Sequence, residues 1–171
     1  MERTSYADMR CSLARALELI GDWWSPLIIR DLFLGITRFD ELAEDLGISR
    51  NLLTRRLKAL VANGIVERTA YQLRPPRYEY RLTEAGRDLW PAMLAVTEWG
   101  DRWAAPEEGR PILFLHKTCG HQFRPQVTCS ECGEVVSTDT VSALPGPGGA
   151  AEPGTMVVAR RFQAQPAAPE T

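Results

Sequence analysis

Residues 47–58, Gly47-Ile48-Ser49-Arg50-Asn51-Leu52-Leu53-Thr54-Arg55-Arg56-Leu57-Lys58, constrain the fold of this chain more tightly than any other stretch. Gly47 is a residue that ends helices, and Ser49 is one that caps the next. Leu53, Leu57 and Leu60 recur at helical spacing, so one stripe of the second helix must face a core. At about 100° per residue, Asn51, Thr54, Arg55 and Lys58 project away from that stripe. Three Arg, one Lys and no acid lie between Ile48 and Lys58, a local +4 in a chain of net charge −2. A short cationic helix face with Asn and Thr on it suits the major groove of DNA. Arg and Lys reach phosphate or guanine there, and Asn pairs with adenine. An ordinary solvated amphipathic helix would carry the same stripe, so the flanking residues decide.

Thr37-Arg38-Phe39-Asp40 has the spacing of a capping box. It opens a helix with Phe39, Leu42, Ala43 and Leu46 inward, closed by Gly47. Two short helices joined through Gly-Ile-Ser form a helix-turn-helix whose second member reads DNA. Asp40, Glu41, Glu44 and Asp45 keep the first helix itself away from phosphate. After Gly64, Ile65 to Tyr71 is a strand candidate, and Tyr78-Glu79-Tyr80-Arg81-Leu82 is a second with period-two alternation. Between them Arg74-Pro75-Pro76-Arg77 is expected to be a loop with an Arg on each side. A hairpin with a basic tip beside a reader helix is a wing. The expected fold is therefore mainly α with a β-hairpin wing, a winged helix-turn-helix, plus a small β-rich C-terminal segment. Ser49 caps the reader; Arg50, Asn51, Thr54 and Arg55 are expected at base edges, with Lys58, Arg74 and Arg77 on phosphate. The partner implied is double-stranded DNA.

These residues carry a family resemblance. Cys11 to Trp24, Leu27-Ile28-Ile29-Arg30-Asp31-Leu32, Arg38-Phe39-Asp40-Glu41-Leu42, Leu53-Thr54-Arg55-Arg56-Leu57 and Tyr78 to Gly86 together resemble the HxlR-type transcription regulators. The match runs in order over residues 9–104. It implies a homodimeric, MarR-related bacterial DNA-binding regulator, expected to repress. It also implies a redox candidate, because some members sense oxidants through an N-terminal cysteine at the position of Cys11. Otherwise Cys11, beside Leu13, Leu17 and Ile20, is a small buried hydrophobe. Trp23 departs from the pattern, standing where relatives carry Lys or Arg.

The remaining helices frame the reader. One is expected from Thr4 to Ile20, and another opens with Ser25 as N-cap and Pro26 at the first helical position, running through Phe33. Thr83 caps a last, longer helix to Trp103, apolar over so much of its circumference that it must be covered from two sides. The second cover is either a partner subunit or the C-terminal segment, and the partner is preferred, since reading two half-sites requires a two-fold axis. No signal pattern opens the chain, and no apolar run approaches the ~20 residues of a membrane span. A cytoplasmic protein is expected, in which cysteines serve as metal ligands or redox groups rather than in disulfides.

Residues 1–104 thus form the DNA-binding and dimerisation domain, and residues 105–111 a linker. Residues 112–142 are expected to be a zinc-ribbon-like module opening with a buried strand, Ile112 to Leu115. His116-x-x-Cys119-Gly120 and Cys129-x-x-Cys132-Gly133 share one spacing, and each is followed by Gly. Such pairs form knuckles, and four N/S donors of this kind suit tetrahedral Zn²⁺. With its ligand set complete the zinc is structural; His121 competes with His116 for the fourth place. Alternatively Cys129 and Cys132 form a redox pair. Residues 143–171 are expected to be a flexible tail, with 155–162 a strand or a basic docking segment. An enzyme is not expected, because there are only two His, no His-Glu-x-x-His and no Gly-x-Ser-x-Gly. A zinc-ribbon adaptor for RNA or protein, using the winged domain to dimerise, is the alternative function.

Overall fold

A computed structural model of the chain describes residues 5–163. The N-terminal part is α1 (Ser12–Ile20), α2 (Trp24–Phe33), α3 (Phe39–Leu46), α4 (Arg50–Ala62), β1 (Val66–Leu73), β2 (Pro76–Leu82), α5 (Glu84–Asp88) and α6 (Trp90–Trp103). Strands β3 (Phe114–His116) and β4 (His121–Phe123) and the helix α7 (Met156–Gln163) follow. The winged helix-turn-helix is present. Ile28 and Ile29 of α2, Leu42 of α3 and Leu53, Leu57 and Leu60 of α4 meet in one core with Val66, Tyr80 and Leu82 of the hairpin. The leucine stripe of α4 is fully withdrawn from solvent, which fixes the opposite face of that helix outward.

Several helix ends differ from the expectation, because another group takes the backbone partner or a proline removes it. The first helix begins at Ser12, not near Thr4, which itself lies outside the described residues. The amide of Tyr6 donates to Glu18 Oε2 (2.9 Å) and that of Arg10 to the Pro153 carbonyl (3.1 Å), so these N–H groups do not extend a helix. Ser25 is no N-cap. It lies buried inside the first turn of α2, and Asp22 Oδ1 accepts from the Trp24 amide instead (3.1 Å). Pro26 remains in the first turn, where a missing N–H costs nothing.

The Thr37 capping box does not form either. Arg38 is the N-cap of α3, without a side-chain cap bond, and the Thr37 carbonyl accepts from the Tyr80 amide (2.9 Å). Residues 37–38 thereby lie against β2 like a rudimentary third strand, with Arg38 bridged to Glu79. Thr83 does cap a helix, accepting from the Gly86 amide (3.1 Å), but the long helix expected after it is broken at Leu89 into α5 and α6. Pro91 has no N–H to continue the ladder and so starts a new helix.

The C-terminal third is less buried than its sequence suggested. Strand β3 starts at Phe114 and is not a buried strand: Leu113 and Leu115 are exposed and only Phe114 is partly covered, edge-on to Trp90 at 5.9 Å. Two strands of three residues cannot cover both of their own faces. The linker is pinned to α6 by Arg110, which pairs with Glu98 at 3.0 Å. Residues 156–163 form a helix rather than a strand, closed at its start by the Ala159 amide on the Thr155 carbonyl (2.8 Å). Before it, the tail is not free: Glu152 accepts from Arg10 Nε at 2.6 Å, and Gly154 lies beside Met9 and Cys11, so that a Cβ there would stand 3.1 and 3.3 Å from theirs. Residues 164–171 lie outside the described residues. Among the described residues no helix is long and apolar enough to cross a membrane.

Candidate nucleic-acid interface

The reader face follows from how α4 is held. Ser49 is its N-cap and accepts from the Leu52 amide (3.4 Å), while its own carbonyl takes the Leu53 amide (2.9 Å). The amides of Arg50 and Asn51 have no acceptor within the helix, and they point along its axis towards whatever approaches. Asn51, Arg55 and Lys58 are exposed; Thr54 is half-buried, with its hydroxyl donating to the Arg50 carbonyl (2.7 Å). Arg56, the one base on the other side, is ion-paired with Asp22 in the α1–α2 connection and ties the reader to the scaffold. Asn63 donates to the Leu19 carbonyl (2.7 Å) at the far end. A reader held at both ends by groups outside the helix presents its side chains on a rigid base.

The wing is tighter than the loop expected. Strands β1 and β2 pair antiparallel from Val66↔Leu82 out to Leu73↔Pro76, leaving only Arg74 and Pro75 at the turn, with a cis bond between them. Arg74 is thus at the tip, but Arg77 is not: it lies in β2 opposite Gln72. Both are exposed. The register slips between Ala70 and Gln72, so Tyr71 is a bulge residue.

Between wing and reader lies an open cleft of about 520 Å³, lined by Arg38, Arg50, Tyr71, Pro76 and Arg77 among others. Two of its guanidinium groups lie over aromatic rings, Arg38 over Tyr71 at 5.2 Å and Arg50 over Phe39 at 4.9 Å. Both also have acids nearby. Arg50 Nη1 is 2.6 Å from Asp40 Oδ1, and Arg38 Nε is 3.9 Å from Glu79 Oε1. Arg38 was missed by sequence reasoning. Its signal was there, in an Ile36-Thr37-Arg38 run that alternates like a strand, but its partners lie more than thirty residues away.

Behind the reader, Asp31 is fully buried, held by Arg30 Nε at 2.8 Å, and Arg30 in turn reaches Asp45 at 3.2 Å. Burial pushes the Asp31 carboxyl above the ordinary carboxylate range, against the opposing pull of Arg30. Tyr80 is likewise raised, by burial first.

The predicted metal donors come together two by two. His116 Nδ1 is 3.2 Å from Cys119 Sγ, and the Cys129 thiol is lowered below its ordinary range by the Cys132 amide first and then the Glu131 amide. Among the described residues no three His, Cys, Asp or Glu side chains are gathered around one point. His121 is the cross-strand neighbour of His116. Cys11 is the N-cap of α1 and is half-buried beneath Gly154.

Capped reader helix, basic wing and the cleft between them define a winged helix-turn-helix regulator. Residues 19–108 match the HxlR-like helix-turn-helix family, and the chain belongs to that family of transcriptional regulators. It is 47% identical over 137 residues to the HTH-type transcriptional regulator Rv3095 of Mycobacterium tuberculosis, covering 80% of this chain and 87% of that one. A match that long must include residues 35–137 of this chain wherever it begins, so the similarity takes in both knuckles, residues 116–120 and 129–133. The crystal structure of PA1607, a candidate transcription factor, superposes with a TM-score of 0.71 at 34% identity, over 82% of this chain and 98% of that one. The redox regulator HypR in its oxidised form gives a TM-score of 0.51 at 36% identity, over 56% of this chain and all of that one.

Proposed function

We propose that the chain binds specific double-stranded DNA sequences in the cytoplasm as a homodimer and represses the genes beside them. The carrying observation is the shared cleft, in which Arg50 at the start of the reader and Arg77 of the wing line one space. A duplex laid on that face meets Asn51 and Arg55 at base edges and Arg74, Arg77 and Lys58 at phosphates. The dimer reading rests on unpaired apolar surface. Leu13 and Leu17 on α1 and Val96, Trp99 and Trp103 on α6 remain exposed, the two tryptophans at 63% and 66%. Positions 96, 99 and 103 follow helical spacing, so they form one stripe, while Trp90 turns the other way and stacks on Phe33 at 3.5 Å. Apolar helical surface of this extent on a small protein marks an interface.

In the same reading the regulator responds to oxidants through Cys11, as the likeness to HypR suggests, and residues 112–142 have a structural and not a catalytic role. The test is selection of bound duplexes from a random library. Two inverted half-sites about 10 base pairs apart, or a multiple of that, occupied by two chains, are expected. Retention of no common sequence would overturn specific binding, and a lone half-site bound by one chain would overturn the dimer. A reporter behind the selected site then gives the sign: expression should fall when the chain is present.

A further inference from the structure

Two turns of the knuckle module share one geometry. His116–Gly120 and Cys129–Gly133 fold into the same turn. The Gly120 amide donates to the His116 carbonyl at 2.8 Å, and the Gly133 amide donates to the Cys129 carbonyl at 2.9 Å. Gly120 and Gly133 both take left-handed backbone angles, φ +72° and +75°, which a residue with a Cβ rarely adopts. In each turn the two donor residues stand three apart, and each turn is clipped by strand pairing, His116↔His121 in one and the Thr128↔Val135 bridge in the other. Two unrelated stretches of a small exposed module have no packing reason to adopt one geometry. A common ligand gives them one.

The donor chemistry says which ligand. All three thiols in the module are free, and Cys119 and Cys132 are exposed, unusual for a cysteine kept only for packing. In the first turn His116 Nδ1 already faces Cys119 Sγ at 3.2 Å, the approach of two groups that share a metal. Among the described residues no three of these donors are gathered around one point, and residues 124–127 between the turns carry no regular structure. The module also lacks a core of its own, since Leu113, Leu115, Val127 and Val135 are all exposed. A metal would supply the folding free energy that burial does not.

We propose that His116, Cys119, Cys129 and Cys132 hold one Zn²⁺ per chain, and that the ion joins the two knuckles into a single ribbon. Binding releases the three thiol protons to solvent. Three thiolates and a neutral imidazole on Zn²⁺ leave a net charge of −1 at a tetrahedral site with no open position, which makes the ion structural. His121 stays outside the set, because among the described residues no thiol contact draws its ring as Cys119 draws that of His116.

The experiment uses the full chain, purified without chelator under reductant, and measures zinc by elemental analysis and Co²⁺ uptake by visible absorption. The wild type should hold about one equivalent of zinc. With Co²⁺ in its place it should show the strong bands of a tetrahedral thiolate site. Cys129→Ser and Cys132→Ser should lose at least about 90% of the metal, while far-UV circular dichroism shows the winged domain still folded. His116→Ala should lose metal or change the Co²⁺ spectrum, and His121→Ala should do neither. A wild type that takes up no Zn²⁺ or Co²⁺ under reductant, or a Cys129→Ser chain that keeps its equivalent, overturns the site. Loss in His121→Ala with retention in His116→Ala overturns the assignment of the fourth ligand. Metal content does not depend on DNA, so failure here leaves the reading of the winged domain intact, and the reverse.

Discussion

Asp40→Asn should tighten DNA binding. In the free protein Arg50 is held at 2.6 Å by Asp40, and both side chains are largely exposed, 70% and 74%. For Arg50 to meet DNA, that pair has to open. An exposed pair is worth about 0.2–1 kcal/mol, and 1.4 kcal/mol is a factor of ten. Removing the acid should therefore raise affinity by about 1.5- to 5-fold, with loss of a negative charge near phosphate acting in the same direction. Fluorescence anisotropy with a selected duplex and with a scrambled one measures it, at about 0.1 M salt and again at higher salt, where the gain should shrink. Most of the gain should disappear in an Arg50→Ala background, because there is then no pair to break. Equal gain in both backgrounds, or weaker binding by Asp40→Asn, would refute the competition between Asp40 and DNA for Arg50.

Three other outcomes follow from the packing. A Cβ at Gly86 would lie 2.2 Å from the Ile65 carbonyl oxygen, which is itself anchored by the Thr83 amide at 3.1 Å. Gly86→Ala should then cost at least about 3 kcal/mol in urea unfolding, and a loss under about 1 kcal/mol would contradict the close approach. For Asp31, burial raises the folded pKa above 3.8, so the folded state binds the extra proton and wild-type stability falls as pH rises through that window. The stability of Asp31→Asn relative to wild type should accordingly improve as pH rises above about 4, and the opposite slope would contradict it. At Gly154, φ is +89° and a Cβ would stand 3.1 Å from Met9 Cβ and 3.3 Å from Cys11 Cβ. Gly154→Val should undock the tail and, at about 1–2 kcal/mol of strain, speed alkylation of Cys11 by about 5- to 30-fold in peptide mapping. An unchanged rate would mean that the tail does not cover Cys11.

What the sequence showed and what it hid divide along the range of the interactions. The reader helix was legible because its buried stripe and exposed face follow from one local period, and Leu53, Leu57 and Leu60 are buried as that period requires. Ser49 was legible because its cap bond is to its own helix. Thr37 has an equally good capping sequence, but the Tyr80 amide, forty-three residues on, takes its carbonyl and turns the segment into a strand edge. Asp22 displaced Ser25 locally, through the Trp24 amide two residues on. Within the candidate interface, Arg55 and Arg56 are adjacent and chemically identical, and only the distant Asp22 assigns Arg56 to the scaffold. Arg38 was invisible for the same reason, since Tyr71 and Glu79 place it. In the tail, Val157 and Val158 suggested a strand, yet among the described residues no neighbouring strand pairs with them, and a helix satisfies the backbone alone.

The central claim, that the outer face of α4 reads sequence while the flanking bases hold phosphate, is tested most directly by a paired comparison on selected and scrambled duplexes across a salt series. Asn51→Ala and Arg55→Ala should each lose about 1–3 kcal/mol on the selected duplex, relax its preference at one base position, and bind the scrambled duplex almost as before. Lys58→Ala should weaken both duplexes alike and lower the salt slope by about one. If Asn51→Ala and Arg55→Ala bind the selected duplex as tightly as the wild type, or lose affinity equally on both duplexes, α4 is not the reader.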